Sequence, residues 1–274
     1  MENTNRTGIW PDTALMLGVA LIYLNAPANL VKFFSVPPVI AGGFLLVLSF
    51  PFAYHILIRR EGLILDLPFG LMLAFLAVLL ASSVFAHDAP VALRSILTFV
   101  LEGLALYLVV VNAIRRPQTL QRVIVTLLCC AALLGALSLY QVVTGDYSNE
   151  FGGLARRQME RDGRILFSER AQGQVGQMNR FAQTMLVLAP LAFLYFANGQ
   201  SRRSRVLGAV ALALIGCGVL LTYSRSGFLA LAGVIVAMLF MRAIRIRRIL
   251  VPVLAGALAV SIAAASRLSG SHNR

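Results

Sequence analysis

Lysine occurs once, tryptophan once, and cysteine and histidine three times each in 274 residues, and only 13% of the chain is charged. An ordinary soluble domain carries roughly a quarter charged residues, so a cytosolic globule is excluded at the outset. Cys129 and Cys130 sit inside one apolar run and Cys217 inside another. With no C-x-x-C spacing they read as small hydrophobes, not as a redox or metal motif. His55, His87 and His272 fall in three separate segments, without H-E-x-x-H spacing, so neither a metal site nor a metal cofactor is expected. The opening residues, MENTNRTGIWPD, lack the basic-then-apolar layout and small-residue cleavage site of a secretory signal, and the N-terminus is expected to be retained.

What the chain has instead is apolar length. Hydrophobic residues make up 59% of it, and the mean hydropathy is +0.82. Runs of about 18 or more apolar residues are long enough to cross a bilayer as helices. Nine such runs are found, near 13–31, 38–58, 67–86, 92–113, 123–143, 178–197, 206–222, 226–241 and 249–265. The expected fold is all-α, a polytopic transmembrane helix bundle of about nine helices forming a single integral membrane domain over 1–274. The first run is the weakest, because Asn25, Pro27 and Asn29 interrupt it, and the eighth is short.

The net charge of +13 would point to nucleic acid in a soluble protein. Here the positions of the arginines give it another meaning, and no nucleic-acid partner is expected. Arg59 and Arg60 follow run two, and Arg115, Arg116 and Arg122 follow run four. Arg202, Arg203 and Arg205 follow run six, and Arg242, Arg245, Arg247 and Arg248 follow run eight. Basic residues concentrate in short cytoplasmic loops, so the even-numbered connections and the N-terminus are expected in the cytoplasm. The odd-numbered connections then face outward, and only the fifth, residues 144–177, is long. It holds five arginines, Arg156, Arg157, Arg161, Arg164 and Arg170, against Asp146, Glu150, Glu160, Asp162 and Glu169, a balance of zero. A long polar external loop in so economical a chain is expected to lid or line a site.

Arg180 opens run six in GQMNRFAQTMLVLAPLAFL, and Arg225 lies between runs seven and eight in LLTYSRSGFLALAG. Short connections make antiparallel neighbours, which brings the outer ends of runs six, seven and eight together. Two guanidinium groups about one helix spacing apart, some 8–10 Å or a little more, would form an anion clamp at headgroup depth. Asn179, Ser224, Ser226 and Tyr223 either add neutral donors or satisfy backbone at the helix ends. Ser226 lacks the G-x-S-x-G elbow and a placed histidine, so a serine hydrolase is not expected. Glu102, in LTFVLEGLALYLVV, is the one acid well inside a run. A lone carboxylate at that depth costs something like 2.5–3.5 kcal/mol on insertion scales, so it is expected to turn toward protein.

The pair NRFAQTMLVLAPLAF and LLTYSRSGFLALAG, one helix apart and preceded by a long loop containing GRILF, resembles the O-antigen ligase and polymerase family of bacterial envelope glycosyltransferases. The resemblance has motif strength over about 150–240 and elsewhere extends only to the presence of helices. It implies a multi-pass enzyme of the bacterial inner (plasma) membrane that moves a glycan from undecaprenyl diphosphate to an acceptor hydroxyl on the periplasmic side. In ligases the acceptor is lipid A–core, in polymerases another lipid-linked repeat, and in relatives a protein side chain. Arg180 and Arg225 match the arginines that grip the donor diphosphate, with Asn179 and Ser224 beside them, and Arg164 matches an arginine of the loop. Such chemistry needs no cofactor, since arginine charge stands in for a cation at the leaving diphosphate. Family members continue into a second large periplasmic loop, where a histidine in an H-N motif acts as base, and then into further helices. Here His272 and Asn273 follow run nine directly, without room for that loop, and are not assigned the role. A truncated chain with no catalytic residue assigned is therefore the expectation. The alternative is a transporter or channel in which Arg180, Arg225 and Glu102 line a path for an anion or proton, a reading that broken helices would favour; a non-catalytic membrane scaffold is the third.

Overall fold

The computed structural model describes residues 9–161, 164–167 and 169–240. Run nine, the arginines at 242–248, and His272 with Asn273 lie outside the described residues. The described residues are mainly helical and contain ten α-helices: α1 (Ile9–Tyr23), α2 (Ala26–Phe34), α3 (Pro38–Ala53), α4 (Leu67–Ser83), α5 (Ala89–Thr98), α6 (Leu106–Ala113), α7 (Pro117–Thr144), α8 (Met178–Asn198), α9 (Arg202–Leu220) and α10 (Arg225–Phe240). A π-helical turn, Tyr54–Ile58, extends α3, and another, Phe99–Ala105, joins α5 to α6 without a break. Among the described residues, four helical segments are long and apolar enough to cross a membrane, against the nine runs expected: Ala89–Ala113, Pro117–Thr144, Met178–Asn198 and Arg202–Leu220. The helix pair α1 and α2 would make a fifth.

Two features depart from an unbroken set of helices. Run one bends by 58° between α1 and α2, where Asn25 adopts a left-handed conformation (φ 53°) and Pro27 stands in the first turn of α2. Proline is tolerated there because the first turn has no intrahelical acceptor for its missing N–H. The 144–177 loop folds a two-stranded antiparallel hairpin, β1 (Gln158–Arg161) and β2 (Arg164–Phe167), with Arg161 opposite Arg164 at its turn.

The chain divides into two compact units. The first, residues 9–19 and 42–123 of the described chain, is pinned by polar groups at helix ends. Asp66 caps α4 by accepting from the Phe69 amide at 3.1 Å and also accepts from the Tyr107 hydroxyl at 2.6 Å. Asn112, fully buried, accepts from the Ile64 amide at 2.7 Å and donates to the Ile64 carbonyl at 3.2 Å. Asp12 accepts from Thr119 and from Arg122, each at 3.0 Å.

The second unit, residues 20–41 and 124–240 of the described chain, holds the continuous apolar core. Leu128, Ala131 and Leu134 of α7 meet Phe181, Met185 and Phe193 of α8 and Ile215 and Val219 of α9. Small residues let these helices approach. A Cβ on Gly135 would overlap the Leu214 carbonyl, and one on Gly208 would overlap the Phe196 backbone nitrogen. Helices that lack a hydrophobic force between them in lipid associate through this kind of close packing.

Candidate functional site

The site is built within the second unit, where the 144–177 loop meets the first turns of α8 and α10. After α9, Thr222 and Tyr223 make a tight reversal, with Tyr223 left-handed at φ 48°. Ser224 then stands at the head of α10, accepting from the Gly227 amide at 3.1 Å, as serine does when it caps a helix. Its hydroxyl donates to Asn179 Oδ1 at 2.9 Å and lies 2.9 Å from the Ser226 hydroxyl. The first turns of α8 and α10 are therefore latched together by the residues that immediately precede Arg180 and Arg225.

At 4% exposure, Ser224 donates its hydroxyl proton to Asn179 and accepts from the Gly227 amide, which ties the two helix ends together. Arg180 and Arg225 are both exposed, and among the described residues neither guanidinium has a hydrogen-bond or ion-pair partner. Each belongs to the first turn of its helix, where unpaired amides and the macrodipole already favour negative charge. Arg164 is placed by its strand pairing opposite Arg161.

The loop is fastened by two adjacent arginines that the sequence reading had counted only toward its charge balance. Arg157 is fully buried. Its guanidinium donates to Gln141 Oε1 at 2.7 Å, to the Ser138 carbonyl at 3.0 Å and to the Glu169 carbonyl, and lies 4.9 Å from the Tyr147 ring centroid. Burial pulls its pKa below the ordinary arginine value, partly offset by Tyr147, Tyr223 and Glu169. Arg156 takes the opposite direction, donating to Asn29 Oδ1 of α2 and stacking 4.9 Å from the Phe33 ring. Glu150 nearby is pushed upward by burial, against the pull of Arg156 and Lys32.

The later part of the loop is fastened as well. The Ala171 amide donates to the Leu221 carbonyl at 2.9 Å, at the end of α9. Gln174 donates from its side chain to the Tyr23 carbonyl at 3.0 Å, and its carbonyl accepts from Asn25 at 3.1 Å. Gly173, at φ 55°, lies against the Phe181 ring so closely that a Cβ would overlap it. Arg170, also exposed, reaches Met178 Sδ at 3.5 Å, which brings a second arginine to the start of α8. One signal for Arg157 was present in the sequence: Gln141, a polar side chain near the end of an apolar helix, needed a hydrogen-bond partner if buried.

Among the described residues no group of three or more His, Cys, Asp or Glu side chains is arranged to hold a metal ion. No protein-family model, curated protein or solved structure matches the chain. The chemistry of the site has to be read from its own residues.

Proposed function

We propose that the chain is a membrane glycan transferase of the O-antigen ligase type, whose Arg180 and Arg225 hold the diphosphate of an undecaprenyl-linked glycan. The reading is supported above all by the Ser224–Asn179 hydrogen bond, which joins two helix starts that each present an exposed, unpartnered arginine. Guanidinium groups bind phosphate oxygens through paired N–H donors and keep their charge at any physiological pH. The two helix N-termini add to the same field.

In the reaction an acceptor hydroxyl of lipid A–core, of another lipid-linked repeat or of a protein attacks the anomeric carbon of the donor sugar. The new glycosidic C–O bond forms as the bond to the diphosphate breaks, the hydroxyl proton is released, and the diphosphate leaves with its bonding electrons. Arg180 and Arg225 neutralise the charge that builds on it. Asn179 and Ser224 position the two arginines, the loop fastened by Arg157 borders them, and Arg164 and Arg170 supply further positive charge from the loop.

The topology that goes with this function has the N-terminus in the cytoplasm, the arginine-rich connections on the same side and the 144–177 loop in the periplasm, in an inner-membrane protein. A transport reading draws on one feature, the break between α1 and α2. Binding of an undecaprenyl diphosphate glycan to the purified chain in nanodiscs separates the two. Affinity should fall at least about tenfold in Arg180→Ala and in Arg225→Ala. Unchanged affinity in both variants, or reporter fusions placing either arginine in the cytoplasm, would overturn the transferase. Solute flux without lipid-diphosphate affinity would favour transport.

A further inference from the structure

A carboxylate has been left without a counterpart in the first unit. Glu102 lies in the continuous helical segment Ala89–Ala113, thirteen residues from one end and eleven from the other. At ~1.5 Å per residue it stands ~20 and ~17 Å from the two ends, beyond the reach of a glutamate side chain to either headgroup layer. The sequence led to the expectation that it turns toward protein; in the structure it is exposed, and among the described residues it has no hydrogen-bond or ion-pair partner.

Its surroundings are those of a contact face. Phe99 packs edge-on against Phe75 of α4 with ring centroids 5.3 Å apart, and Gly103 lies beside Phe99 and Met72, so α4 occupies that side of the helix. Glu102 itself is exposed, and it follows directly on the last member of a row of Leu93, Leu97 and Leu101, spaced four residues apart and all more than half exposed. The π-helical turn Phe99–Ala105 surrounds it, and such turns are frequent at functional sites.

We propose that this face docks a second transmembrane helix, from a different protein, that carries a lysine or arginine near the middle of the bilayer. The leucine ridge supplies the apolar packing and Glu102 the ion pair, which in hydrocarbon can neither be hydrated nor left unpaired at low cost. Charge decides against a second copy of this chain. Two copies related by an axis along the membrane normal would bring Glu102 to Glu102 at the same depth, and the basic residue on the same helix, Arg94, is eight residues and ~12 Å away. The proposal depends on the Ala89–Ala113 segment crossing the bilayer and not on the identity of the reaction.

The test uses the full chain in phosphatidylcholine nanodiscs and synthetic leucine-alanine transmembrane peptides with either lysine or leucine at the central position. Energy transfer between labelled chain and peptide should report at least about tenfold tighter association of the lysine peptide. Glu102→Leu should abolish that preference and Glu102→Gln should retain only part of it. Both variants lose an unpartnered carboxyl and should keep the thermal midpoint of the parent, so a lost preference cannot be charged to misfolding. Equal association of the two peptides, or a lysine preference that survives Glu102→Leu, would overturn the proposal. Strong energy transfer between two labelled copies of the chain that Glu102→Leu removes would assign the face to self-association and overturn it equally.

Discussion

The two units of this protein use their helices in opposite ways. In the second, 44% of the apolar window of α8 and 39% of that of α7 are buried within the chain; in the first, only 11% of the window of Ala89–Ala113 is. The glycines show both situations in each unit: Gly135 and Gly208 of the second are pressed against the backbone of neighbouring helices and Gly18 of the first against Leu48, whereas Gly43, Gly62 and Gly70 of the first and Gly216 and Gly233 of the second have nothing within 4 Å of where a Cβ would stand. A helix that finds its contacts inside the chain must be shaped for them. One that leaves its apolar surface outward is held by polar pins at helix ends, such as Asp66, Asp12 and Asn112. The candidate site lies in the unit whose helices are closely packed.

Arg157→Ala offers the severest challenge to this contrast. It leaves Gln141 Oε1 and the Ser138 and Glu169 carbonyls without their donor, and hydrogen bonds to a charged group are worth about 1.5–3 kcal/mol each. A loss of about 3–5 kcal/mol is expected by denaturant titration in micelles, together with faster proteolysis of the loop. Arg157→Lys should recover only a minor part, since a single ammonium cannot reproduce three donors spread over a planar fork. A comparable loss on removing any single polar pin of the first unit would dissolve the distinction.

A smaller effect is expected from one substitution made in both units. Gly135→Ala forces a methyl group onto the Leu214 carbonyl and should cost about 1–3 kcal/mol, the usual range for overpacking. Gly70→Ala, within α4 and facing open space, should instead gain up to about 1 kcal/mol from helix propensity. Opposite signs in the same unfolding assay are the expected result; equal signs would show that the first unit is packed more tightly than its exposure indicates.

The smallest effect concerns acid. The Tyr107 hydroxyl holds Asp66 below the ordinary carboxylate range, against desolvation, with the Phe69 amide adding a smaller pull in the same direction as Tyr107. A carboxyl whose folded pKa is depressed contributes stability that is present above its unfolded value and lost as pH falls through the folded one. Thermal midpoints recorded from neutral pH down through that window should therefore decline, and Asp66→Asn should flatten the decline without altering the neutral value by much, because asparagine also caps a helix.

Much of this fold could be read from hydropathy. Runs two to eight coincide with helices or continuous helical segments, from Pro38–Ile58 through Leu67–Ser83 and Ala89–Ala113 to Arg225–Phe240. The proximity of the α8 and α10 starts followed from the short connections between them. Other features did not follow. Asn25 and Pro27 marked run one as weak, but did not show that Gln174 would come from the loop to bond Tyr23 and Asn25 at the bend. Arg156 and Arg157 are adjacent and chemically identical, yet one is stacked on Phe33 and the other sealed beneath the loop.

By itself the sequence determined the helices, because in an apolar run bound for a bilayer every backbone N–H and C=O has to be satisfied within its own segment. It also determined which helix starts would carry Arg180 and Arg225. Only the tertiary structure decided that Ser224 would be consumed as a latch, that Arg157 would be buried and that Glu102 would be left without a partner. The acceptors and neighbours that govern a polar side chain's placement come from residues distant in the chain, and local spacing carries no information about which of them arrive.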